Sequence, residues 1–344
     1  MEKIFEIENR KIGIRFPPLI IPEIGINHNG DFNKAKKMIF DAKKAGAECV
    51  KFQCHIINEE MIENNVVPPN AKESIWKMME RCSLTKNEEF RLKKITEKLG
   101  MIYLNTPFSK AAVDRLEDLE ISAYKIGSGE CNNLPLIDYI ASKNKPILLS
   151  TGMNSLNDIK KTIKILKKHR SNFGLMHVTS QYPTPYKNVR LKTLVNIKNK
   201  FPEQIIGLSD HSIGNYTSFA AISLGASVIE KHFTSKKNWK GSDIPISITP
   251  NELGDLIKGS KAIWDSMGEK KNVLSEELDV AKFAFSSVVS IREIKKGEKF
   301  SKHNIWVKRP GTGKIKAYNF KNILNKYAKK EIKNNTQIEW NMIE

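Results

Sequence analysis

Short apolar runs rich in β-branched residues recur along the first three quarters of the chain, and nearly every one ends in polar side chains. The runs are LIIPEIGIN (19–27), ECVKFQCH (48–55), MIYLNTPF (101–108), ISAYKIGSGE (121–130), PILLSTGM (146–153), GLMHVTSQYP (174–183), IIGLSDH (205–211) and SVIEKHFT (227–234). They read as buried strands. Between them the apolar spacing becomes helical, over 33–45, 110–119, 132–143, 155–169, 189–199 and 215–224, with a last helix over 251–267. The first helix stops at Gly46, a suitable C-cap. The stretch 56–86 has no clean period and carries Pro68 and Pro69, so a functional loop with a short helix is expected there. Regular β-α alternation implies a parallel sheet, and eight units over roughly 250 residues fit a closed (β/α)8 TIM barrel better than an open sheet.

The pattern breaks at 269–282 (EKKNVLSEELDVAK), which reads as a linker between a barrel domain (1–268) and a small domain (283–344). In the small domain, IREIKKGEKFS suggests a strand and a glycine turn leading into a helix start, and a basic helix is expected over about 319–329. About 60 residues make a marginal core, so this domain is expected to dock on a partner surface.

Composition narrows the class. The 344 residues are 40% apolar, enough for a sizeable core, and no run approaches the ~18 residues of a membrane span. The lead MEKIFEIENRKIGIRF is broken by charges, so a cytoplasmic protein is expected, with no membrane partner. Cys49, Cys54, Cys82 and Cys131 form no C-x-x-C pair and read as reduced thiols. The net charge of +19 comes from lysines spread along helical intervals, such as Lys34, Lys36, Lys37, Lys43 and Lys44, or Lys160, Lys161, Lys164, Lys167 and Lys168. They read as solvated helix faces that attract small anions, not as a nucleic-acid patch. G-x-G-x-x-G and G-x-x-x-x-G-K-[ST] are both absent.

The candidate chemistry lies at the strand ends. His211 and His232 close the last two runs, with Ser209, Asp210 and Glu230 beside them. If those runs are neighbouring parallel strands, the imidazoles meet at one edge and suit a divalent metal with open positions; the alternative is two satisfied core histidines. Lys51 and Lys125, with Thr106, Ser128, Ser150 and Ser209 and the permissive Gly127 and Gly129, describe a cradle for a phosphate or carboxylate. Glu23 and Glu130 add carboxylates for proton transfer or for gripping sugar hydroxyls. Structural alternatives exist here too: a strand lysine can snorkel and a strand-end hydroxyl can cap the next helix.

The motifs PEIGINHNG, KFQ, NTPFS, YKIGSGECNN, STGMNS, YPTPY, GLSDH and EKHFT, followed by FAFSSVVS and WVKRPG, resemble the sialic acid synthase family from about Leu19 to the C-terminus. The resemblance implies a barrel enzyme with a C-terminal antifreeze-like (SAF, β-clip) domain. It implies condensation of phosphoenolpyruvate with an N-acylated amino-sugar aldehyde to give a nine-carbon 2-keto acid and phosphate. Carried across motif by motif, the metal ligands are His211 and His232, with Mn²⁺ first and Mg²⁺ or Co²⁺ as alternatives. Phosphoenolpyruvate lies against Lys51, Thr106, Lys125, Ser128, Ser150 and Ser209. The sugar is held by Glu23, Gln53, Asn70, Glu130, Tyr182 and Asp243, and by Phe283 and Arg309 of a small domain that closes the other subunit's barrel in a homodimer. Glu23, Glu130, His211 and His232 are the residues to which catalysis is assigned.

Three departures bear on the sugar. Ser180 stands where relatives often have Asn in a TNxYP pattern, and is carried as a shorter donor to the anion. Phe52 and Cys54 replace polar groups of KHQTH, and Ile244 follows Asp243 where relatives vary. The first acceptor suggested is N-acetylmannosamine, which makes the expected enzyme an N-acetylneuraminate synthase. Diacetamido 6-deoxy sugars, leading to legionaminate or pseudaminate, are the nearest rivals. A Schiff-base aldolase using Lys125 or Lys51 and a carbohydrate- or ice-binding protein remain as other classes.

Overall fold

The computed structural model describes residues 4–268 and 270–344; the first three residues of the charged lead and Glu269, at the start of the expected linker, lie outside it. The chain divides into two compact units, residues 1–268 and 269–344.

Two short strands open the first unit, β1 (Phe5–Ile7) and β2 (Arg10–Ile12), paired antiparallel. Eight parallel strands follow: β3 (Leu19–Gly25), β4 (Cys49–Cys54), β5 (Ile102–Pro107), β6 (Tyr124–Ile126), β7 (Ile147–Ser150), β8 (Phe173–Val178), β9 (Ile206–Asp210) and β10 (Val228–His232). They close in sequence order, β10 pairing back onto β3, so the fold is a TIM barrel built from all eight expected runs.

The helices are α1 (Phe32–Lys44), α2 (Ile57–Glu60), α3 (Ile75–Cys82), α4 (Lys86–Lys98), α5 (Lys110–Asp118), α6 (Leu134–Ala141), α7 (Leu156–Lys168), α8 (Tyr186–Val189), α9 (Leu191–Lys200), α10 (Tyr216–Ser223) and α11 (Pro250–Asp265). Local chemistry starts them. Asp31 accepts from the Asn33 and Lys34 amides to begin α1, and capping boxes Thr85/Glu88, Ser155/Asp158 and Thr249/Glu252 begin α4, α7 and α11. The lysines expected on solvated faces are exposed on α1 and α7, Lys34 excepted, which is half-buried. Within 56–86 the chain makes α2 and α3, joined by an irregular stretch that carries both prolines.

Period-two alternation explains where the chemistry sits. Val50, Phe52, Tyr103, Leu149, Leu208 and Ile229 face the helix layer in the main core. Ile21, Cys49, Leu104, Ala123, Leu148 and Val228 form a second buried cluster inside the barrel. Two residues further along each of those strands, on the same face, come Glu23, Lys51, Thr106, Lys125, Ser150 and Glu230. Each inward column is therefore apolar low in the barrel and ionic or hydroxylic at its C-terminal end. The lower cluster is completed by Phe5, Ile7 and Ile12. The N-terminal lead is thus a hairpin packed on the barrel's lower interior; strands of three residues are too short for the pattern to mark.

The second unit has its own core of Val288, Ile294, Phe300, Ile305, Ile315, Ile323, Ala328, Ile332 and Ile338. Its strands β11 (Ser287–Ser290) and β12 (Ile305–Lys308) pair antiparallel. Two expectations fail here. The segment read as a linker contains a 3-10 turn at 275–277 and most of a helix, α12 (Leu278–Ala284). The basic helix expected over 319–329 is only α13 (Phe320–Ile323), because Leu324 turns extended and Asn325 takes a φ of +73°. Lys299 then bridges Tyr327, so the chain continues as paired extended backbone. No helix starts after Gly297 either; the turn there leads to β12. Among the described residues no helix is long and apolar enough to cross a membrane.

Candidate active site

The C-terminal ends of the barrel strands surround a cavity of about 670 Å³, the usual position for chemistry in this fold. Its floor is an ion-pair ladder. Lys51 Nζ lies 2.8 Å from Glu23 Oε2 and 3.3 Å from Glu230 Oε1, and Lys125 Nζ lies 3.2 Å from Glu230 Oε2. Hydroxyls complete it. Lys51 donates to Thr106 Oγ1 at 3.0 Å, Lys125 to Ser150 Oγ at 2.6 Å, and Ser209 to Glu230 Oε2 at 2.7 Å.

Burial and charge set the protonation of this cluster. Burial pushes the Glu23 carboxyl up to about 7, against the pull of Lys51. Glu230 is buried as well, but Lys125 and Lys51 together hold it below the ordinary carboxylate range. Burial works against the Lys51 ammonium, yet Glu23 and Glu230 outweigh it and the net shift is upward. Lys125 is shifted down by burial, partly offset by Glu230.

On one side of the ladder the hydroxyls of Ser128 and Ser180 approach the backbone of Gly152. The Gly152 amide donates to Ser128 Oγ at 3.1 Å, and the buried Ser180 Oγ has no hydrogen-bond partner among the described residues. On the other side stand the histidines. His211 and His232 have ring centroids 5.5 Å apart, and Tyr182 stacks on His211 at 4.2 Å with its edge toward His232 at 5.9 Å. Burial, with His232 nearby, lowers His211 to about 4, and burial lowers His232 to about 3, so both rings are neutral near pH 7.

Two neutral imidazoles are the donor type a divalent transition metal takes. His211 donates from Nδ1 to the Thr179 carbonyl at 2.9 Å, which leaves its Nε2 lone pair free. His232 Nδ1 is buried without a hydrogen-bond partner, 3.7 Å from Asp243 Oδ2. That orphaned nitrogen is what a bound cation would satisfy, so the residues fit a metal. No group of three or more His, Cys, Asp or Glu is placed to hold one among the described residues; the other positions of such a metal would fall to water and substrate.

Residues 38–272 match the model of the NeuB family and residues 285–344 that of the SAF domain. The chain belongs to the NeuB family. It is 39% identical to the N,N'-diacetyllegionaminic acid synthase of Campylobacter jejuni, over 92% of this chain and 97% of that one. It is 32% identical to the human N-acetylneuraminate-9-phosphate synthase, over 93% and 90% of the two chains. The crystal structure of the N-acetylneuraminic acid synthetase of Leptospira borgpetersenii, in complex with citrate, superposes with a TM-score of 0.75 at 32% identity, over 81% of this chain and 95% of that one.

Within this NeuB-family barrel, Glu23, Lys51, Gln53, Asn70, Thr106, Lys125, Ser128, Ser150, Ser180, Tyr182, Ser209, His211 and His232 all line the one cavity. Asp243 is a layer behind, where it accepts from Asn70 Nδ2 at 3.3 Å. Glu130 does not line the cavity. It ends the 3-10 turn Ser128–Glu130, and its carboxylate accepts from Asn133 Nδ2 at 2.7 Å instead of reaching inward. Phe283, on α12, and Arg309, just after β12, are exposed in the second unit.

Asp210 departs from the expected rim position. Strand parity turns it away from Ser209 toward the helices, where it lies 3.0 Å from Lys231 and accepts from Thr217 and Ser218 of α10. Glu230, named beside the histidines, does line the cavity, and His55, Glu60 and Gln181 line it without having been expected as site residues. Parity with Lys51 was a usable signal for His55. Glu60 had none, because α2 lies in the stretch without a period.

Proposed function

We propose that the protein condenses phosphoenolpyruvate with an N-acylated amino-sugar aldehyde and water, giving a nine-carbon 2-keto acid and inorganic phosphate. The observation that supports this best is the pairing, in one cavity, of a lysine- and hydroxyl-lined seat with two neutral imidazoles. In this reading Lys51, Lys125, Thr106, Ser150 and Ser209 hold the phosphate and carboxylate of phosphoenolpyruvate, with Ser128 and Ser180 as further donors. His211 and His232 would hold the divalent metal, Mn²⁺ first, and that metal supplies Lewis-acid polarisation of the aldehyde when bound.

Bond changes then balance as follows. The methylene carbon of phosphoenolpyruvate bonds to the aldehyde carbon, whose oxygen takes a proton. A water adds to the phosphate-bearing carbon, giving its proton to Glu23, whose affinity near pH 7 suits a general base. The C–O bond to phosphate breaks as the added hydroxyl becomes the 2-keto oxygen and its proton leaves with the phosphate, so the two hydrogens of water end on the new alcohol and on phosphate. Gln53, which donates to Glu23 Oε1 at 2.9 Å, and Asn70 orient the sugar. Glu130, Asp243, Phe283 and Arg309 enter this reading only through the resemblance, in which the small domain of one subunit closes the barrel of its partner in a homodimer.

Two acceptors compete. The sequence motifs lean toward N-acetylmannosamine. The 39% identity to a synthase of N,N'-diacetyllegionaminic acid favours a diacetamido 6-deoxy sugar. A Schiff-base aldolase on Lys51 is disfavoured, because the carboxylates beside it keep it charged; Lys125 is shifted down by burial, and borohydride trapping with substrate tests it there. Phosphate release from phosphoenolpyruvate with Mn²⁺ tests the reading, run with N-acetylmannosamine, its 6-phosphate and the diacetamido sugars. Release with one of them supports it and names the acceptor; none with any acceptor ends it.

A further inference from the structure

His55 follows β4 and is buried, stacked on Phe108 with ring centroids 4.5 Å apart and 14° between planes. Both ring nitrogens are engaged. Nδ1 lies 2.7 Å from Glu60 Oε2, and Nε2 lies 3.0 Å from Gln53 Oε1. From the other end of the same amide, Gln53 Nε2 donates to Glu23 Oε1 at 2.9 Å. Glu60, His55, Gln53 and Glu23 are thus one hydrogen-bonded chain from the cavity wall to the ionic floor.

Donor and acceptor types fix the direction of this chain. Gln53 donates its amide N–H to Glu23 and turns its carbonyl to His55, the orientation an ionised Glu23, which only accepts, requires. A carbonyl also only accepts, so His55 Nε2 carries hydrogen. A second proton must lie between Nδ1 and the Glu60 carboxylate. The His55–Glu60 pair therefore holds one proton more than a neutral imidazole beside a carboxylate would.

We propose that His55 and Glu60 form a proton-holding pair that orients Gln53 on the acceptor and, through it, holds the Glu23 carboxylate in place. His55 and Glu60 are positioning residues in this scheme, and their role rests on the condensation proposed above. If the pair loses its extra proton, the remaining one stays on Nδ1 facing Glu60. Nε2 then confronts the Gln53 carbonyl as acceptor to acceptor. The amide turns over, donates to His55 and offers Glu23 a carbonyl, which only a protonated Glu23 can satisfy. A charge change at the wall is thereby passed to the floor by one amide flip.

The groups around the pair set its charge balance. Glu60 faces His55 from α2, with Glu130 behind it, close enough to raise Glu130 further. His28 faces it from the loop after β3; burial lowers this ring to about 4, so it brings no charge near pH 7. Phe108 contributes none. Glu23 and Lys51 lie beyond Gln53.

Steady-state kinetics against pH, after the acceptor panel has been run on the wild type, test the inference. Glu60→Gln removes the countercharge. It should raise the acceptor KM about tenfold and move the alkaline limb of kcat/KM for acceptor about one pH unit downward. The KM for phosphoenolpyruvate should change less than about twofold. His55→Gln, whose amide can donate to Gln53 at every pH, should keep turnover and lose that limb. An unmoved limb in Glu60→Gln, or equal losses for both substrates, overturns the proposal. A second measurement needs no turnover. In ¹⁵N-histidine-labelled protein near pH 7, the signal missing from His55→Gln should report Nε2 protonated, and a tautomer with Nε2 bare overturns the proposal even in an active enzyme. If the wild type releases no phosphate with any acceptor, the condensation reading fails, while the proton on Nε2 is still decided by the ¹⁵N spectrum.

Discussion

Lys125 and Glu230 meet at 3.2 Å although their strands, β6 and β10, stand opposite each other in the closed barrel. The contact crosses the barrel axis. It is possible because both side chains face inward at the same height, above the apolar layer that includes Leu148 and Val228. Lys51 joins the same carboxylate from β4 while also pairing with Glu23, so Glu230 is the anion shared by ammonium groups on different walls.

That arrangement predicts how the protein without substrates responds to loss of the anion. Glu230→Gln keeps a partner for Ser209 but leaves the buried Lys125 without its ion-pair partner and Lys51 with Glu23 alone. Breaking a buried pair on one side costs about 3–5 kcal/mol, so the variant should melt well below the wild type. Inorganic phosphate should restore part of the loss, and should raise the variant's Tm by more than it raises the wild type's, as a ligand specific to the folded state does. Thermal denaturation with and without phosphate checks this. Equal melting of both proteins in the absence of phosphate would show that Glu230 is not the balancing charge.

Much of this was legible because strand parity is written locally. The eight runs follow from short patterns, and so do Glu23, Lys51, Thr106, Lys125, Ser128, Ser150, Ser209, His211 and His232 at the strand ends, whereas Gln53, Asn70, Ser180 and Tyr182 of the same cavity were reached through the family resemblance. Where a side chain depends on a turn, local pattern fails. Glu130 looks like a strand-end carboxylate, but a 3-10 turn carries it to Asn133. Asp210 sits between two site residues in sequence, yet parity sends it outward to Lys231, where both side chains are fully buried. Glu60 is brought to His55 by a four-residue helix with no amphipathic signature. The β1–β2 hairpin escapes notice because its strands bury so few residues that they leave no period.

Gly152 offers a test of the hydroxyl seat. A β-carbon there would stand 2.8 Å from Ser128 Oγ and closer still to Ser180 Oγ. Gly152→Ala should therefore push both hydroxyls from the anion's position without touching either lysine. The KM for phosphoenolpyruvate should rise by about tenfold or more, with the acceptor KM little changed. An unchanged KM for phosphoenolpyruvate would place the anion elsewhere in the cavity.

Glu89 gives the fold its own pH dependence, away from the cavity. It is buried on α4, 3.5 Å from Arg115 and in contact with the Cys54 thiol at 3.6 Å. Burial raises its carboxyl from 4.5 to about 7 despite Arg115. A carboxyl with a raised folded-state pKa stabilises while it is protonated. That contribution is fully present below about 4.5 and is lost as pH climbs through about 7. Glu89→Gln, neutral throughout, should match the wild type near pH 4 to 5 and exceed it at pH 8 by up to about 3 kcal/mol. Urea unfolding at the two pH values checks the sign; a variant less stable than the wild type at pH 8 would mean that the Arg115 pairing dominates.

The imidazole pair should bind metal over an unusual pH range. An exposed histidine pair loses metal as pH falls toward its ordinary pKa of about 6.5, because the proton competes for the same lone pair. Burial lowers His211 to about 4 and His232 to about 3, so proton competition begins only well below pH 6. Titration calorimetry with Mn²⁺ should give one site per chain, with affinity nearly flat between pH 8 and 6. His211→Ala should weaken binding at least about tenfold. It should leave the melting temperature close to that of the wild type, because the ring's one hydrogen bond is to the Thr179 carbonyl at the cavity edge. Manganese binding that falls steeply between pH 7 and 6, or that survives His211→Ala, would take the metal away from this pair and leave the histidines as packing partners of Tyr182.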